Sequence, residues 1–265
     1  MAFRAVATID LVLYAGLLCL AVYNTVFFLI LQRRYKIYYI MTFYVLSYVL
    51  IACRLVVSAL ILVLAFQHDT SYNTQSSMYV LVILVFEIGA TYAKIFIGFF
   101  QVIAITILTL QVKQKHLNKM RKISYWLYLL VTAWNVAILL AVIGFITFLM
   151  LCLERDGSED NCYGATKLGT ILNGVCFAVL TACLLIAIFP LFHSLNRLQS
   201  IKMQLSREVK FLSSIFAVFT LGYLTRTVYD FTVPASVQFW QLMTGITLPL
   251  FWDFLPIGLM FYYHL

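Results

Sequence analysis

Residues 78–111 read MYVLVILVFEIGATYAKIFIGFFQVIAITILTLQ. The run is longer than the roughly 20 residues a helix needs to cross the hydrocarbon layer of a bilayer. It has no period-2 alternation, so it does not read as a barrel strand, and in lipid a helix is then the form that satisfies every backbone group. Glu87, Lys94 and Gln101 recur every seven residues and so share one face, with Gly98 close to the same stripe. A spanning helix that is apolar except along one polar stripe turns that stripe inward. The stretch predicts a central helix of an all-α membrane bundle.

The rest of the chain agrees. Of 265 residues, 64% are hydrophobic and only 11% charged, against about a quarter charged in soluble domains, and the mean hydropathy is +0.98. A window of about 19 residues predicts seven spans in a single domain covering 1–265, at about 8–32, 37–66, 78–111, 125–152, 168–195, 211–233 and 238–263. The first is too long for a removed signal peptide and lacks a small-residue cleavage site followed by polar sequence, so a retained helix is expected. Little chain is expected outside the first and last spans.

Charge divides the connections. One set carries Arg33, Arg34 and Lys36; then Lys113, Lys115, Lys119, Arg121 and Lys122; then Arg197, Lys202, Arg207 and Lys210 with Glu208. The alternate set is QHDTSYNTQSSM, the acidic ERDGSEDNCYGATK and TVPASVQ. Basic connections face the cytosol, which puts the N-terminus outside or in a lumen and the C-terminus in the cytosol. The formal charge of +8 then reflects topology and attraction to anionic lipid, with no need for nucleic acid. The same basic segments are candidates for docking a cytosolic protein. Cys152 and Cys162 flank the acidic outer connection and are a candidate disulfide in an oxidising compartment. Gly174, Ala178 and Ala182 form a small-residue stripe, suited either to packing within the bundle or to a contact with a second copy. Trp126, Trp240, Tyr38, Tyr39, Tyr262 and Tyr263 fit interfacial anchors.

Six ionisable residues inside the spans stand out: Arg54, Glu87, Lys94, Arg226, Asp230 and Asp253. Each costs about 2.5–3.5 kcal/mol at the centre of an inserting helix, so such residues face the interior and pair. Three are basic and three acidic, which suggests mutual neutralisation. Depth along the spans suggests a central group of Lys94, Asp253 and Arg54 and an outer one of Glu87, Arg226 and Asp230, the last two being i,i+4 neighbours. They fix helix register or line a site for a ligand, proton or ion. Pro249 and Pro256 bracket Asp253, and neither can donate a helical hydrogen bond, so a break is expected around it.

Enzyme chemistry finds no foothold. There is no G-x-S-x-G, H-E-x-x-H, phosphate loop or C-x-x-C. His68, His116, His193 and His264 are too scattered for a zinc centre, and the last span has no lysine for a retinal Schiff base. No catalytic residue, metal or cofactor is expected. The third span ends TLTLQVKQKH and the last reads LPIGLMFYY, without the D/E-R-Y and N-P-x-x-Y signatures of an ordinary hormone-type receptor.

Three stretches resemble the plant tobamovirus-multiplication proteins and their orphan-receptor-like animal relatives of lysosomal membranes. YYIMTFYVLSYVLIACRLVV is similar to their second helix, with Arg54 as its single arginine; REVKFLSSIFAVFTLGYLTRTVYDF resembles their R-E-V approach to a sixth helix bearing an arginine, here Arg226. DFLPIGLMF is similar to their acidic-x-Leu-Pro-x-x-Leu pattern, on Asp253, Leu255, Pro256 and Leu259. The resemblance implies a seven-helix endomembrane protein, vacuolar or lysosomal, that recruits small GTPases or other cytosolic proteins, with no catalytic residues carried over. The leading expectation is a receptor-like docking protein whose buried ion pairs control the bundle. A small transporter or channel lined by Glu87, Lys94 and Asp253 and a structural membrane subunit of a larger assembly are the alternatives.

Overall fold

The computed structural model describes residues 2–31, 38–67, 75–112, 117–155, 159–198, 203–233 and 250–264. Six long helices appear: α1 (Ala2–Leu31), α2 (Tyr38–Gln67), α3 (Gln75–Val112), α4 (Leu117–Arg155), α5 (Glu159–Leu198) and α6 (Met203–Thr232). A π-helical turn, Leu250–Phe254, then leads into α7 (Leu255–His264). All six long helices are long and apolar enough to cross a membrane, and Leu250–Tyr262 is a shorter apolar stretch. The first twelve residues of the expected seventh span, 238–249, lie outside the described residues.

Several helices start ahead of their expected spans, α6 at Met203 among them. α4 starts at Leu117, although its span was expected from about 125. Lys119, Arg121 and Lys122 are therefore helical, where the sequence had suggested a connection. Lys, Arg and Met are good helix formers, and a helix does not need apolar side chains to continue into water. α5 likewise starts at Glu159, ahead of its expected span at about 168. Glu159 and Asp160 in that first turn suit the positive end of the helix dipole, and Cys162 is thereby a helical residue.

The chain divides into two compact units, Met1–Lys94 with Val233–Leu265, and Ile95–Thr232. In the first, α1 packs on α2, on the π turn and on α7. The inward stripe of α1 runs Ala7, Tyr14, Leu17, Ala21 and Asn24, at spacings that return to one helix face. Ala7 joins Val57, Ile61 and Ile83 in an apolar cluster. Asn24 donates to the carbonyl of Phe261 at 2.8 Å, one of the last-turn carbonyls of α7 that a helix cannot satisfy by itself. The Phe261 ring stacks on Tyr44 with centroids 5.5 Å apart.

In the second unit α5 packs along α6 and against α4. Phe177 stacks on Tyr223 at 5.8 Å, and Phe99 meets Trp134 edge-on at 6.3 Å. Small residues allow these approaches: a Cβ on Gly174 would stand 3.1 Å from the ring of Phe231, and one on Gly169 2.6 Å from that of Phe145. Within this unit Gly174 serves packing, while Ala182 on the same stripe is exposed. Several buried hydroxyls satisfy themselves along their own helices, as Thr109 does on Ile105, Thr181 on Phe177 and Thr220 on Phe216.

The tightest glycine is Gly98, where an added Cβ would run into the side chain of Leu180. Gly98→Val is expected to destabilise the folded protein by about 1–3 kcal/mol, the usual cost of overpacking. Adding Leu180→Ala should return part of that loss. Thermal unfolding in detergent checks both.

Candidate functional site

The polar centre of the first unit is built from three chain segments. α2 supplies Arg54, α3 supplies Glu87 and Lys94 two turns apart, and the π turn supplies Asp253. Asp253 is 1% exposed, so its charge depends on what touches it. Lys94 Nζ lies 2.5 Å from its Oδ1 and Arg54 Nε 2.9 Å from its Oδ2. Arg54 extends Nη1 to Glu87 Oε1 as well. One planar guanidinium thus bridges two carboxylates, which a lysine ammonium is poorly shaped to do.

Tyr14 on α1 donates its hydroxyl to Asp253 Oδ2 at 3.3 Å. Beside the carboxylate, Lys94 Nζ stands 5.6 Å from the centre of the Trp252 ring, a favourable place for a cation. The quartet is neutral, with two cations and two anions, and its members sit on chain positions 54, 87, 94 and 253. Such a network adds little net stability, but removing one member leaves an uncompensated charge.

The π turn explains how Asp253 reaches so many partners. Pro256 has no N–H for the carbonyl of Trp252, and the widened turn replaces regular α-helix immediately before it. The expected break therefore takes a definite form at Pro256, which is buried; Pro249 lies outside the described residues. π turns occur often at functional sites.

Lys94, Asp253 and Arg54, grouped from depth alone, do come together. Glu87, which the depth grouping set apart from them, pairs with Arg54. In the second unit Arg226 and Asp230 pair along α6, with Nε 3.0 Å from Oδ1 and 3.1 Å from Oδ2. The Arg226 guanidinium also lies over the rings of Phe177 and Tyr229, 5.9 and 5.8 Å from their centres. The pair is wrapped in aromatic surface and reads as a register device for the α5–α6 packing. Gln101 is buried in that unit, and neither polar atom of its amide has a hydrogen-bond partner.

Sequence reasoning passed over Asp10 and Tyr14. Tyr14 is buried on the network, and Asp10, partly buried one turn earlier, feels the charges of Arg54 and Glu87. The signal for Asp10 was its place inside the first apolar run. For Tyr14 it was the i,i+4 spacing to Asp10, which puts both on the inward stripe of α1.

The other candidate residues fall at the margins. Arg33, Arg34, Lys36, Lys113, Lys115 and Lys202 lie outside the described residues, as do the side chains of Lys119, Arg121, Lys122, Arg197, Arg207, Cys152 and Cys162; Lys210 is exposed on α6. Trp126 is exposed at the start of the apolar window of α4, where an interfacial anchor is expected. No protein-family model matches this chain, and no curated protein or solved structure matches it either.

Proposed function

We propose that this chain is a seven-helix, receptor-like membrane protein, N-terminus outside or lumenal and C-terminus cytosolic, that docks a cytosolic protein through its basic cytosolic segments. Its buried charge network holds the bundle in one conformation. The observation that carries this reading is the bridging of α2, α3 and the last helix through the single carboxylate of Asp253. Buried ionic groups of this kind specify an arrangement more than they strengthen it, which suits a bundle that must present one cytosolic surface and be able to lose it. The resemblance to the tobamovirus-multiplication family supports an endomembrane location and small GTPases as the partner class.

Purification from native membrane in mild detergent tests the docking. A cytosolic protein should accompany the wild type and be lost when Lys119, Arg121 and Lys122 are all changed to Gln. Recovery of the chain alone from the native membrane would overturn the reading. A second reading, a small transporter in which Glu87, Lys94 and Asp253 line a polar path, draws on the π turn at Asp253. Uptake or current dependent on Asp253 in reconstituted vesicles would favour it.

A further inference from the structure

The Asp253 quartet is electrically complete, and beside it stands a carboxylate that it does not need. Arg54 and Lys94 balance Glu87 and Asp253. Asp10 makes no ion pair or hydrogen bond among the described residues. It lies on α1, which packs directly on α2 and on the π turn, and one turn further on the same face Tyr14 bonds to Asp253. The charged and titratable groups around it are Tyr14 on its own helix, Arg54 from α2 and Glu87 from α3. Asp253 and Lys94 stand behind these, with the Cys53 thiol next to Arg54 and Glu87. An ionised Asp10 would bring the five charged residues to a net charge of −1 inside a hydrocarbon layer, where an unmatched charge is strongly disfavoured.

Among the described residues one positive charge is therefore missing. A metal ion is a poor way to supply it, because no three His, Cys, Asp or Glu side chains are grouped to hold one among the described residues. A proton needs only one carboxylate oxygen. Asp10 is also placed to exchange it: it follows the charged Arg4 by six residues on α1, roughly 9 Å along the helix axis, within reach of interfacial water.

We propose that Asp10 is a proton-binding site that carries its proton while the quartet is closed. On release the carboxyl O–H bond breaks, the proton passes to water on the side from which α1 enters, and the charge left on Asp10 competes with Asp253 and Glu87 for Arg54. Acidity on that side thereby favours the closed network. This consequence rests on the network acting as a lock and on an N-terminus outside; the bound proton itself rests only on the charge balance.

Infrared spectroscopy of the purified full-length chain in lipid nanodiscs reads the proton directly. At mildly acidic pH the wild type should show the carbonyl stretch of a protonated carboxyl that disappears as pH is raised, is absent from Asp10→Asn and persists in Glu87→Gln. Should Asp10→Asn fail to fold, wild type grown with isotope-labelled aspartate must show that stretch shifted. Absence of the stretch from the wild type, its survival in Asp10→Asn, or no shift with labelled aspartate would overturn the proposal. Failure of the lock reading would show instead as independent effects of substitutions at Lys94 and Asp253, and leaves this test untouched.

Discussion

Asp253→Asn is expected to destabilise the folded protein by about 3–5 kcal/mol, the range seen when one partner of a buried ion pair is removed. The substitution changes little but charge, so the loss is not a packing effect. Without the carboxylate, the quartet holds two cations and the one anion Glu87, a net charge of +1. Glu87 is the more exposed carboxylate, with a side chain 22% accessible against 1% for Asp253, so Glu87→Gln should cost less than Asp253→Asn. Thermal unfolding in a mild detergent, followed by the recovery of monomer on size exclusion, gives the order directly.

Arg54 carries the second-largest expected effect. Arg54→Ala separates Glu87 from Arg54 and leaves Lys94 as the cation paired with Asp253, at a cost of about 3 kcal/mol, the lower end for a broken buried pair. Arg54→Lys is the sharper substitution because it keeps the net charge. An ammonium is a compact point charge on a flexible stem, whereas the guanidinium uses Nε toward Asp253 and Nη1 toward Glu87 at once. Arg54→Lys should therefore lose at least half of what Arg54→Ala loses. A silent Arg54→Lys, with the same melting temperature as wild type, would mean that neutrality alone matters and that the bridge does not.

The helices were legible because their cause is local. Unbroken apolar runs and the demand that every backbone group in lipid be satisfied lead to α1–α6 without any tertiary information. Their ends were harder. The expected span marks where lipid begins, yet α4 continues to Leu117 through Lys, Met and Arg, which are good helix formers in water, and α5 to Glu159 although Asp160, Asn161 and Gly164 have low helix propensity. The proline pair located a break at the last helix, but a π turn with Asp253 buried in it depends on what that carboxylate meets, and its partners stand 159 and 199 residues away in the chain.

Long-range pairing limited the site in the same way. Depth along each span was enough to bring Lys94, Arg54 and Asp253 together. The pair of Glu87 with Arg54 was not legible from depth, because depth does not say which way a helix face turns, whereas its i,i+7 relation to Lys94 aims both toward the same neighbours. That stripe already held the answer, since Lys94 and Glu87 had to meet one set of partners. The Arg226–Asp230 pair was readable because four residues on one helix is itself a geometry. Asp10 needed nothing beyond its position in an apolar run.

The double-variant cycle of Asp253→Asn with Lys94→Met measures the central claim most directly, because both changes keep volume and remove opposite charges. If the network holds the bundle, removing Lys94 as well restores neutrality around Arg54 and Glu87. The double variant should then unfold at a higher temperature than Asp253→Asn alone, with a coupling energy of about 1.5 kcal/mol or more, within the range known for residues in contact. Losses that simply add, within about 0.5 kcal/mol as for independent sites, would contradict it.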